Sequence, residues 1–282
     1  MKFQTIFLTL AFLFQLQIHH AQTIIFTGTG GDDNWETPAN WNLNRIPNAN
    51  DDVAFSSNQI VVVNAITEVR SIAVEIDHLL EIKANLTVKS GHPQTGIGLQ
   101  NRGVVVVDAG AVLFIEDVAH TGILNENNIT VATGGSIRFF SNTGFAYYAN
   151  AAIDNQGEIV NSGDITLSQD FDDVLESNVN PEKALINTGV IRNFDFINLD
   201  DIVINETSGE IFNSGTFNVE VQTFAFTTDN MINRGTITNQ DGGTFEVNQF
   251  QNDGQITTET NSTFSGDGPD NKKQNNNAGT LK

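Results

Sequence analysis

The chain has 282 residues, 13 Lys and Arg against 34 Asp and Glu, a formal net charge of −21 and no cysteine. That charge repels phosphate, which argues against nucleic-acid binding and against attraction to anionic lipid. The missing cysteines exclude disulfides, thiolate metal sites and a cysteine nucleophile. Only 17% of residues are charged while 39% are hydrophobic and 35 are Asn, so the sequence encodes a core, with polar residues that favour turns over helices.

In chain order, residues 1–21 read as an export signal: Lys2, an apolar run from Ile6 to Leu16, and Ala21 before a mature start near Gln22. No later stretch approaches the ~18 apolar residues of a spanning helix, so no membrane span is expected in the mature chain. Residues 22–58 form an irregular region holding both tryptophans, Trp35 and Trp41, with Pro38, Pro47 and the pairs Asp32-Asp33 and Asp51-Asp52. Two readings fit the tryptophans: an end cap closing an apolar core, or a platform on which a sugar stacks.

Residues 59–265 are a series of short alternating strands separated by Asn, Gly and Asp. Examples are Ile60-Val61-Val62-Val63, Val104-Val105-Val106-Val107 and Thr244-Phe245-Glu246-Val247. A unit "apolar, Asn, x, Gly, x, Ile/Val" returns at Asn101-Arg102-Gly103, Asn155-Gln156-Gly157, Asn187-Thr188-Gly189, Asn233-Arg234-Gly235 and Asn252-Asp253-Gly254. Asn125 with Asn127, and Asn213-Ser214-Gly215, read as degenerate copies of it. A second turn type follows at Asp108-Ala109-Gly110, Thr133-Gly134-Gly135, Asn161-Ser162-Gly163 and Asp241-Gly242-Gly243. The period, roughly 19 to 32 residues, lies in the solenoid range. This predicts an all-β right-handed parallel β-helix (β-solenoid) with an N-terminal cap. Inward Val, Ile, Leu and Phe would stack from coil to coil, and Asn rows would hydrogen-bond along the axis. The competing architecture is a pair of antiparallel β-sandwiches. Residues 266–282 read as a polar C-terminal tail.

The run Trp35-x5-Trp41-x5-Pro47-x3-Asp51-Asp52-Val53, followed by Val/Ile/Leu strands, resembles the opening of secreted bacterial parallel β-helix repeat proteins. These are adhesin-like and autotransporter-passenger-like surface proteins of Bacteroidetes type. The resemblance implies a right-handed β-helix on or outside the cell, and no particular activity. Such proteins often close in a sorting domain or membrane barrel. The polar run here differs, so free secretion and a periplasmic location are expected alongside surface attachment.

Catalytic chemistry is sparse. Acids gather at Asp170, Asp172, Asp173 and Glu176, and again at Asp195, Asp200 and Asp201 with Arg192 nearby in sequence. A polysaccharide lyase or hydrolase would use such carboxylates with a basic residue. Surface solvation is the plainer account of them. No cofactor is called for; calcium is the one cation these loops, or the acids at Asp32, Asp33, Asp51 and Asp52, could hold. His78, His92 and His120 are far apart and lack metal-ligand spacing. Tyr147 and Tyr148 form an aromatic patch that suits an insertion packed on the solenoid or a weak binding platform. The expectation is therefore a non-enzymatic exported protein presenting an elongated face to glycans or surface proteins, with the lyase or hydrolase as the alternative.

Overall fold

The computed structural model describes residues 22–56, 58–140, 149–167, 183–220, 231–271, 275–277 and 280–281; the expected export signal lies outside them. Among the described residues the strands assemble into sheets of 19 and 10 strands. Among the described residues every strand-to-strand ladder is parallel, and the single antiparallel contact is one bridge between Phe26 and Trp41. The chain is a parallel β-helix, and the antiparallel sandwich is excluded.

Each coil visits three ladders in order, which we name faces A, B and C. One coil consists of Ala151–Asn155 on face A, Glu158–Asn161 on face B and Asp164–Leu167 on face C. The next is Lys183–Asn187, Val190–Asn193 and Phe196–Asp200, and the one after it Ile202–Asn205, Glu210–Asn213 and Thr216–Glu220. Faces A and C merge into the larger sheet because the nine-residue strands Thr244–Asn252 and Thr263–Asn271 run through both.

Alternation decides which side chains enter the core. On face A the inward row runs Val53, Ile72, Leu99, Ile123, Ile153, Leu185, Val203, Met231 and Phe250, each in register with the next and each buried. On face C the row includes Phe217, Phe245 and Phe264, stacked at centroid separations of 4.7 and 5.2 Å. Successive coils sit about 4.8 Å apart, so like side chains pack on like. Truncating one inward Ile or Leu to Ala would cost about 2–5 kcal/mol.

Two rows of buried asparagine fix the corners. The first, at the end of face A, is Asn101, Asn125, Asn155, Asn187, Asn205, Asn233 and Asn252, all fully buried. Each Nδ2 donates to the Oδ1 of the next at 2.7–2.8 Å. The same Nδ2 groups reach backbone carbonyls across the bend, as from Asn155 to Val190 O at 3.1 Å. The second row, at the end of face B, is Asn161, Asn193, Asn213 and Asn239, joined at 2.8–2.9 Å. Asn213-Ser214-Gly215 therefore belongs to the second corner and is not a weak copy of the first. The row spacings of 18 to 32 residues widen the expected period slightly. Glycine follows these asparagines because the backbones nearly touch: a Cβ on Gly157 would land on the Asn127 carbonyl oxygen, and one on Gly189 on the Gly157 carbonyl oxygen.

At the N-terminal end, Gln22–Phe26 already pairs with Asp51–Phe55 as a rung of face A. The loop between them folds over the first coil and is tied to face B by Trp35 N–H donating to Val62 O at 2.9 Å. Trp41 Nε1 donates to Trp35 O at 2.8 Å, and the two rings meet edge to face at 4.8 Å. Asn40, fully buried, pins the loop by donating to Asp32 and to the Asn34 carbonyl. At the other end the described parts of the polar run pair with the coils before them. Thr263–Asn271, Asn275–Asn277 and Thr280–Leu281 continue the ladders, and the register sets Asn271 beside Asn252 and Asn277 beside Thr258.

Candidate functional site

The residues singled out by sequence do not converge. Arg192 points outward on face B, where its Nε donates to Glu158 at 2.8 Å and its guanidinium lies 4.8 Å from the Phe212 ring centroid. Both neighbours come from adjacent coils, through the register Glu158↔Val190 and Arg192↔Phe212. Asp195 sits at the bend between faces B and C. Asp200 ends the next strand, Phe196–Asp200, and Asp201 follows it, about 16 Å or more away at the rise of an extended chain. Arg192 is therefore committed to Glu158 and Phe212, and the imagined Arg192–Asp195–Asp200–Asp201 group is not assembled.

Trp35 and Trp41 are 0% and 2% exposed, so neither ring offers a face to a sugar; both cover the end of the core. The acids around them are already engaged. Asp51 takes a two-pronged contact from Arg45 at 2.6 and 2.7 Å and a hydrogen bond from the Asn48 N–H. Burial alone would raise the Asp51 carboxyl, but the Arg45 and Asn48 hydrogen bonds together hold it below the ordinary carboxylate range. Asp52 receives Arg70 and Ser71, with His92 at 3.7 Å. The backbone N–H of Asn34, then the Asn40 side chain, hold Asp32 below its usual range. His78 is buried with its ring nitrogens against the carbonyl oxygens of Ile76 and Ser56. Among the described residues no group of three or more His, Asp or Glu gathers as a metal site, and no helix is long and apolar enough to cross a membrane. Tyr147, Tyr148, Asp170, Asp172, Asp173 and Glu176 lie outside the described residues.

The surface feature that does stand out is the outward row of face A. Leu124, Asp154, Ile186, Ile204, Ile232 and Gln251 follow one another in register on successive coils. Three isoleucines lie on consecutive rungs of this row, each partly exposed. Face B carries a comparable outward apolar row at Ile60, Leu79 and Val104, but it is the face A row that borders a depression.

Beside this row lies an open depression of about 620 Å³, floored by Ile186 and bounded by Asp154, Gln156, Thr188 and the turn at Glu206, Thr207 and Ser208. The turn explains it. At the other corners following the first Asn row, two residues join face A to face B, as in Gln156-Gly157 and Thr188-Gly189. After Asn205 four do so, Glu206-Thr207-Ser208-Gly209, closed by Gly209 N–H to Glu206 O at 2.8 Å. The extra pair rises as a wall, and Ser208 Oγ reaches back to Thr188 O at 2.9 Å. Sequence reading missed this corner, because the insertion separates Asn205 from its glycine and hides the repeat.

Two carboxylates flank the depression, both held in place. Asp154 accepts from Asn150 at 3.1 Å and Gln156 at 3.3 Å, and Glu206 accepts Arg234 at 2.9 and 3.0 Å. A similar bridge lies farther along the same corner. There Arg102 joins Glu75 and Glu126, and its guanidinium is held above its ordinary range by Glu75 first and then Glu126.

Comparisons with protein-family models, with curated proteins and with solved structures find no match.

Proposed function

We propose that this chain is an exported, non-catalytic β-solenoid of adhesin type, whose side, and face A above all, binds glycans or surface proteins outside the cell. The observation that carries the reading is the outward row Ile186, Ile204 and Ile232 on consecutive, rigidly spaced rungs. A flat parallel sheet spaces its side chains regularly along the axis, which suits an elongated partner. The capped end and the buried Asn rows favour a stiff rod that keeps this spacing. The outward Arg192, held by Glu158 and Phe212, fits a surface role better than proton transfer.

The test is a glycan-array screen of the purified mature chain, with a parallel assay for cleavage of acidic and neutral polysaccharides with and without calcium. Binding without cleavage is the expected result. Release of reducing ends or unsaturated sugars that disappears in Asp195→Ala would replace this reading with the lyase or hydrolase.

A further inference from the structure

We propose that the depression over Ile186 is a subsite for a neutral oligosaccharide; this rests on the binding role of face A proposed above.

The chemistry of the lining selects the ligand. A pyranose ring has an apolar face of C–H groups and an equatorial rim of hydroxyls. Ile186 supplies a partly exposed apolar floor between the Asp154 and Ile204 rungs. The rim meets a mixed set of partners: the carboxylate of Asp154, the amide of Gln156, and the hydroxyls of Thr188, Thr207 and Ser208. Carboxylates accept from sugar hydroxyls and the amide can donate or accept. The hydroxyls of Ser208 and Thr188, whose protons go to Thr188 O and Asn155 O, keep lone pairs to accept, and that of Thr207 can do both. The depression is shallow and open, so it would hold one stretch of an oligosaccharide against the surface without enclosing it.

Charge narrows the choice. Asp154 on the rim and the net charge of −21 oppose uronates and sulfated sugars. A cationic peptide is the other ligand that acids attract. Here Glu206 is already paired with Arg234, whose Nη1 lies against both carboxylate oxygens, and Asp154 is held by two amides. Glu206, so paired, has little left for a second cation. That leaves Asp154 as the one unpaired charge on the rim, a weak anchor for a polycation, while both carboxylates keep lone pairs for uncharged hydroxyls. The orienting bonds also mean that little side-chain freedom is lost on binding.

The wall is separable from the fold. Deleting Thr207 and Ser208 would leave Glu206-Gly209, the two-residue corner that the chain builds at Gln156-Gly157 and Arg234-Gly235. The solenoid should therefore tolerate the deletion while the depression is lost.

Isothermal titration of the mature chain with β-1,4-glucan and β-1,4-mannan hexaoses, with a hexagalacturonate and a pentalysine peptide as comparators, tests the proposal. At least one neutral hexaose should bind, and the two charged probes should not. The Thr207–Ser208 deletion and Asp154→Ala should each weaken that binding by about tenfold or more, the loss of one or two hydrogen bonds. Thr188→Val, which keeps the shape of a surface residue, should weaken it less. Phe194→Ala, at the opposite corner, should leave it unchanged. Thermal melts of each variant show whether the fold is intact. Neutral-sugar binding that survives both the deletion and Asp154→Ala overturns the subsite while leaving a binding role for face A. Preference for pentalysine or hexagalacturonate overturns the ligand class. No binding of any probe by the wild-type chain overturns the subsite, and no binding on the glycan array or to cells as well would overturn the broader role.

Discussion

Replacing Asn187 with Ala interrupts the first asparagine row at its middle. Asn187 accepts from Asn155 Nδ2 at 2.7 Å, donates to Asn205 Oδ1 at 2.8 Å, and reaches Glu210 O at 3.3 Å, all with the residue fully buried. Losing the two row bonds costs about 1 kcal/mol each, and leaving the Asn205 amide oxygen buried without its donor adds about 1–3 kcal/mol. Together these give an expected loss of about 3–5 kcal/mol, to which a small cavity adds. The comparator is Asn198, on the outer side of face C, where it accepts from Asn218 at 2.9 Å but keeps access to water. Asn198→Ala should cost less than about 1 kcal/mol. Urea denaturation followed by circular dichroism measures both. Repeat arrays can unfold in pieces, so tryptophan fluorescence is followed in parallel. Both tryptophans sit in the cap, so this probe reports that end alone. A midpoint shift seen by circular dichroism and not by fluorescence would place the lesion in the middle coils. If Asn187→Ala costs no more than Asn198→Ala, the asparagine row is not what holds the corners.

Other expectations follow from single contacts. Gly189→Ala, whose Cβ would strike the Gly157 carbonyl, should lower stability by several kcal/mol, about 3 or more. Gly110→Ala, with open space around it and a φ of 81°, should cost only about 1 kcal/mol; thermal melts compare the two. Asp51→Asn bears on acid stability. The folded carboxyl is held below its unfolded value, so its contribution is present above about pH 4 and is lost as pH falls through the lower, folded value. The wild-type cap should lose stability over that acidic window, read by tryptophan fluorescence, and the Asn variant should be weaker at neutral pH but flatter through it. Trp41→Phe removes the hydrogen bond to Trp35 O and should lower cap stability by about 1–2 kcal/mol. Arg192→Ala, on an exposed pair with Glu158, should cost under about 1 kcal/mol and leave binding to face A unaltered.

The repeat was legible because its corners are spelled in asparagine and glycine. Wherever the unit kept its form, as at Asn155-Gln156-Gly157, the reading matched the register of the rungs. It failed at Asn205, because two inserted residues break the spelling while the buried amide still takes its place in the row. It also merged the two corners at Asn213, since both use Asn and Gly for the same physical reason and only the pairing of strands tells them apart. The proposed site was illegible for a related cause. Asp154, Ile186, Ile204 and Ser208 are dispersed along the chain and meet only because each coil lies on the last. The acids that sequence proximity grouped, Asp195 with Asp200, are held apart by the strand between them.

The most direct measurement of the account is binding by the wild-type chain set against a variant carrying Ile204→Glu and Ile232→Glu. Both changes fall on the outer side of face A and leave the inward rows untouched. On a glycan array and on intact cells, the wild-type chain should bind and the folded double variant should lose about tenfold or more of that affinity. Undiminished binding by the folded double variant would contradict the claim that face A is the working surface of this solenoid.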